Sequence, residues 1–127
     1  MKKEIIIPDN APDTIGPYSP AVKAGGFLFT SGQVAIDPIT GKGVHGTVAE
    51  ETRAVMENLK NLVESAGVCM DDIVKTTCYL SDINNFAAFN SIYGKYFTPG
   101  KYPARSTIET GALPAGFKVE IDAIVKL

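Results

Sequence analysis

Residues 73–109 read IVKTTCYL, SDINN, FAAFNSIYGKYF, TPGKYP and ARSTIE, and the division of this stretch decides the fold. Ile73 to Leu80 is β-branched and aromatic, the composition of a strand. Ser81-Asp82-Ile83-Asn84-Asn85 offers several helix N-caps. Phe86, Phe89, Ile92, Tyr93, Tyr96 and Phe97 then recur at helical steps, and Pro99-Gly100 stops the helix. Ala104 to Glu109 is strand-like again. A strand, a helix and a strand in this order predict a parallel pair joined by a right-handed crossover.

Downstream, Phe117 to Val125 predicts a last strand, connected by Gly111 to Gly116. Upstream, Thr47 and Glu50 have capping-box spacing. Val55, Met56, Leu59, Leu62, Val63 and Ala66 line one face of the helix that follows. Glu51, Arg53, Glu57, Lys60 and Glu64 occupy the rest, and Gly67 is placed to end it in a left-handed cap. Ala21 to Ala24 and Phe27 to Gln33 read as a hairpin turning at Gly25-Gly26. Residues 4–7 form a short strand ended by Pro8, and the proline-rich residues 8–20 an irregular loop that holds Tyr18. The whole is an α+β fold: one two-layer domain over 1–127, a mixed six-stranded sheet with both helices packed on one face.

The other sheet face is then uncovered. Side chains alternate, so Phe117, Val119, Ile121, Ala123 and Val125 share one side, and Lys118, Glu120, Asp122, Ile124 and Lys126 the other. Arg105, Thr107 and Glu109 likewise share a side. Phe27, Phe29 and the tyrosine-rich second helix offer more apolar area than one small core uses, which favours burial of this face against other subunits.

Composition excludes several functions. The chain has 127 residues, 45% hydrophobic and 20% charged, with a net charge of −2 and a pI of about 5.3. That balance argues against a broad nucleic-acid footprint. No apolar run approaches a membrane span. Two cysteines make no disulfide framework and fit a reducing cytoplasm. Neither Cys69 nor Cys78 has a basic neighbour in sequence, so both read as packing residues. His45, the only histidine, lies in the glycine-rich turn Gly43-Val44-His45-Gly46, an exposed loop and a poor place for a catalytic triad or a metal.

Two charges on the C-terminal strands remain: Arg105 and Glu120. Arginine meets a carboxylate with two parallel hydrogen bonds, and a glutamate orients water or takes its proton. Together they suit a small 2-imino or 2-keto acid. By residue type alone, a cross-strand salt bridge is the favoured reading.

The wider pattern shifts that weighting. Pro103-Ala104-Arg105-Ser106-Thr107-Ile108, Leu113 and Val119-Glu120-Ile121 resemble the signature of the RidA/YjgF reactive intermediate deaminase family. Gly16-Pro17-Tyr18-Ser19, Phe29-Thr30-Ser31-Gly32-Gln33 and Phe89-Asn90-Ser91-Ile92-Tyr93 agree in order and spacing, so the similarity spans essentially the whole chain. The resemblance implies a homotrimer of chorismate-mutase-like subunits with active sites between neighbours. It implies hydrolysis of 2-aminoacrylate-derived imino acids, released by pyridoxal-phosphate-dependent dehydratases, to 2-keto acids and ammonia, without a cofactor or metal. Carried over, Arg105 binds the substrate carboxylate, Glu120 positions water, and Tyr18 hydrogen-bonds the reacting end. Ser31, Gly32, Asn90 and Thr107 line the cleft. The family often has cysteine where Thr107 stands and glutamine where Pro20 stands; the first departure argues against thiol chemistry there. A non-catalytic keto-acid-binding regulatory trimer is the alternative, and an RNA-directed activity a third.

Overall fold

The computed structural model describes residues 2–127. Six strands, β1 (Glu4–Ile6), β2 (Ala21–Ala24), β3 (Phe27–Thr30), β4 (Ile73–Leu80), β5 (Ala104–Glu109) and β6 (Val119–Lys126), form one sheet in the order β1-β2-β3-β6-β4-β5. Only β4 and β5 are parallel, as the strand–helix–strand reading requires; every other pairing is antiparallel. Helices α1 (Val48–Ser65) and α2 (Phe86–Tyr93) cover one face.

The local signals act as expected. The Thr47 hydroxyl accepts from the Glu50 amide, and the Glu50 carboxylate accepts from the Thr47 amide. Gly67 takes φ 85°, the left-handed conformation that ends α1. Gly25 and Gly26 both have positive φ, which lets a two-residue turn follow the twist of β2 and β3. Val55, Met56, Leu59 and Val63 of α1 and Phe89 of α2 pack with no exposure on Leu28, Cys78, Leu80, Val119, Ile121 and Val125 of the sheet.

Four features depart from the sequence reading. β3 stops at Thr30 instead of Gln33, because the Ala123 amide donates to the Thr30 hydroxyl and the Ser31 amide turns away to the Pro20 carbonyl; Gln33 then rejoins at Ile121. α2 ends at Tyr93, and its stripe continues through a tighter turn over Gly94–Tyr96. Glu51 is fully buried, not on the polar face of α1. It accepts from the Lys118 amide (2.8 Å) and ammonium (3.1 Å), and Lys118 is free to reach it because β6 begins one residue later. Cys69 is exposed, donating to Asp72, whereas Cys78 is a buried packing residue as expected.

The face opposite the helices carries a row of register partners, Ile5, Val22, Phe29, Ile124 and Lys75, running from β1 to β4. Ile5 is 51% and Phe29 44% exposed. Among the described residues, no helix is long and apolar enough to cross a membrane.

Candidate functional site

Register decides where each candidate stands. Arg105 pairs with Thr76, and Thr76 with Ala123; Thr107 pairs with Cys78, and Cys78 with Ile121. Paired residues share a face, so Arg105 and Thr107 lie on the helix-covered side. Glu120 pairs with Tyr79, on the uncovered side. Arg105 and Glu120 therefore stand on opposite faces of the sheet. The cross-strand salt bridge favoured by residue type does not form.

Around Arg105 the chain builds a cradle. Its guanidinium carbon is 4.9 Å from the ring centroid of Tyr93 and 5.3 Å from that of Phe86. One terminal nitrogen donates to Asn90 Oδ1 at 2.7 Å. Phe86, Asn90 and Tyr93 follow at steps of four and three, so α2 presents all three along one line. Tyr93 is itself fixed: its hydroxyl hydrogen-bonds the buried Thr76 hydroxyl at 2.8 Å, and burial pushes its phenol up to about 12. Arg105 also borders a depression of about 400 Å³, lined besides by Asn90, Tyr93, Gly94, Tyr102 and Pro103. Thr107 Oγ1, two residues along, is buried without a hydrogen-bond partner. Beside it, burial pushes the Cys78 thiol up to about 11, so this thiol stays protonated.

The second group assembles on the other face. A Cβ on Gly32 would stand 2.5 Å from Glu120 Oε2, so the carboxylate occupies the space that this residue's missing side chain leaves. Gly32 is available because Ser31 and Gly32 bulge out of β3, with the Ser31 hydroxyl donating to the Ser19 carbonyl. Glu120 is half-buried; that burial first, and the negative charge of Asp122 second, hold its carboxyl above the usual carboxylate value. Tyr18 is 52% exposed on the proline-rich loop, and with Gly32, Gln33 and Asn58 it borders a small cavity of about 60 Å³ beneath that loop. One chain thus brings Arg105, Asn90 and Thr107 together on one side, and Glu120, Gly32 and Ser31 together on the other.

The sequence reading placed Phe86 and Tyr93 on the apolar stripe of the second helix and did not set them beside Arg105. Their spacing around Asn90 was the available signal. It also passed over Asp122 and Tyr79, whose hydroxyl donates to Asp122 Oδ2 at 3.0 Å. His45 is exposed, as expected of its loop, and its ring stacks on Phe117 at 4.7 Å.

Comparison with known proteins places this arrangement. Residues 8–127 match the family described as Endoribonuclease L-PSP, the RidA/YjgF family. The chain belongs to that family. A RutC family protein of Pyrococcus horikoshii is 49% identical, over 96% of this chain and 96% of its own. A Salmonella typhimurium protein named 2-iminobutanoate/2-iminopropanoate deaminase is 45% identical over 94% of each chain. A solved Rid-family structure from Yersinia pestis superposes with a TM-score of 0.95 at 44% identity, covering 99% of this chain and 100% of its own. The two-helix, six-stranded RidA/YjgF architecture expected from the sequence is therefore the observed one.

Proposed function

We propose that this RidA/YjgF chain is a cytoplasmic deaminase, hydrolysing small 2-imino acids such as 2-iminopropanoate and 2-iminobutanoate to 2-keto acids and ammonia. It acts as a homotrimer whose sites lie between copies. One observation carries the reading: Arg105 and Glu120 stand on opposite sheet faces, each with its surroundings already arranged. Neither face holds both groups, and two copies packed face to edge can supply one of each. The apolar row through Ile5, Val22 and Phe29 gives such packing a hydrophobic surface to bury. The Salmonella relative is named for the reaction, which supports the substrate class.

The chemistry follows from the two half-sites. Arg105 of one copy receives the substrate carboxylate on the donors that Asn90 leaves free. This sets the imine carbon over Glu120 of the next copy. Water adds to the iminium carbon while Glu120 takes one of its protons, giving a neutral carbinolamine. Glu120 returns that proton to the nitrogen; as the C–N bond breaks, the hydroxyl gives its own proton to Glu120 and becomes the carbonyl of the keto acid, and Glu120 passes this proton to the departing ammonia, which leaves as ammonium. Tyr18 hydrogen-bonds the reacting end, where it relays the proton. Imines hydrolyse readily in water, and each tenfold acceleration needs only about 1.4 kcal/mol, so a clamp and an oriented base suffice.

The test couples the protein to a serine or threonine dehydratase, the pyridoxal-phosphate enzymes that would release its substrate, and follows keto-acid release. Acceleration by the wild-type protein, lost in Arg105→Ala, is expected. No acceleration by the wild type overturns the reading; binding of 2-ketobutyrate without turnover identifies a keto-acid sensor instead.

A further inference from the structure

On the uncovered face, Glu120 has two titratable neighbours that the reaction described above does not use. Asp122 is two residues along β6 and points the same way, about 6–7 Å from Glu120 measured along the strand. Tyr79 lies directly across from Glu120 on β4, and its hydroxyl reaches along the sheet to Asp122 Oδ2 at 3.0 Å. Tyr79 thus spans from the register position of one carboxylate to the oxygen of the other. We propose that Asp122, tethered by the Tyr79 hydroxyl, is the positioning residue that makes Glu120 an effective base, an assignment that rests on the deaminase reading above.

The surroundings leave Asp122 free to act this way. On the third side of Glu120, the bulge supplies Ser31, Gly32 and Gln33, none of which titrates. The nearest cation on β4, Lys75, is diagonal to Asp122 but directs its ammonium to the Ser106 hydroxyl at 2.8 Å. Among the described residues Asp122 has no salt-bridge partner, so its charge is not cancelled locally. The Tyr79 hydroxyl donates to Asp122 Oδ2 and holds that carboxylate in place on the Glu120 side of the sheet. A fixed anion beside a half-buried carboxylate disfavours the second negative charge; burial first and the Asp122 charge second raise the proton affinity of Glu120. In the assembled enzyme Arg105 of the neighbouring copy adds an opposing charge. Asp122 then keeps Glu120 basic enough to accept a proton from water.

The experiment compares Asp122→Asn, which keeps the shape and can still accept from Tyr79, with Asp122→Glu, which keeps the charge. The readouts are the acidic limb of kcat/KM against pH and the titration of the Glu120 carboxyl by 13C NMR, assigned with Glu120→Gln. Asp122→Asn is expected to move both midpoints down by about 0.5–1 pH unit and to lower the plateau, while Asp122→Glu leaves the midpoints in place. Unchanged midpoints in Asp122→Asn overturn the proposal. Should that variant fail to assemble, Asp122→Thr is read in the same way. Absence of imine hydrolysis in the wild type would sink the deaminase reading alone, because the NMR titration still decides whether Asp122 governs the proton on Glu120.

Discussion

Asn90 is exposed on α2, yet its side-chain oxygen is committed to one Arg105 nitrogen at 2.7 Å. With the rings of Phe86 and Tyr93 it limits the directions the guanidinium can adopt. That ordering is made before a ligand arrives, so it lowers the entropy lost on binding and does not change the reaction itself. Asn90→Ala keeps the fold, because nothing in the core rests on the residue. It removes a hydrogen bond worth about 1 kcal/mol, roughly a fivefold change in an equilibrium constant. Steady-state kinetics should show KM rising by about that factor with kcat nearly unchanged. A fall in kcat at constant KM would instead place Asn90 at the reacting carbon. At this scale the sequence was partly legible. The family resemblance named Arg105, Glu120 and Gly32 as candidates, but not the reason Gly32 must lack a side chain, which is the 2.5 Å approach of Glu120 Oε2 to a hypothetical Cβ.

At the scale of elements, α1 is tied to the strand that carries Glu120. The Glu51 carboxylate in the first turn of α1 has no exposure and accepts from both the amide and the ammonium of Lys118, whose ammonium also donates to the Gly46 carbonyl. The start of β6 is thereby pinned to the helix two residues before Glu120. Lys118→Met leaves the buried carboxylate with one amide donor. Removing one member of a buried pair costs about 3–5 kcal/mol, and the part-exposed ammonium puts this case near the low end. Urea denaturation should show the midpoint falling at constant slope, and Glu51→Gln in the same chain should restore part of the loss. The helices themselves were legible because caps and apolar steps are local: Thr47, Glu50 and Gly67 do what their positions announce. Glu51 was not, because its partner is 67 residues away and only the folded register brings Lys118 to it.

The whole molecule poses the question of how two groups on opposite faces of one sheet work together. Alternation along a strand tells which residues share a side within that strand; it held from Ala104 to Glu109 and from Val119 to Lys126, but not for Lys118, which precedes β6 and turns to Glu51 on the helix side. Which of those sides faces the helices depends on pairing between strands, Thr76 with Arg105 and Tyr79 with Glu120, and no local pattern encodes that. Within one copy the separation is fixed by the sheet itself, so no side-chain rotation closes it. The proposed sharing between copies has a measurable consequence. Arg105→Ala and Glu120→Gln should each abolish activity alone. In rings co-assembled at random from the two variants, an interface that draws Arg105 from a Glu120→Gln copy and Glu120 from an Arg105→Ala copy is complete. Such interfaces are about a quarter of the total, so about a quarter of wild-type activity should return. The mixture should be refolded together, with native mass spectrometry verifying that both variants enter one assembly. Mixed assemblies that stay inactive would mean that each copy works alone, leaving the cradle around Arg105 as a binding site without its base.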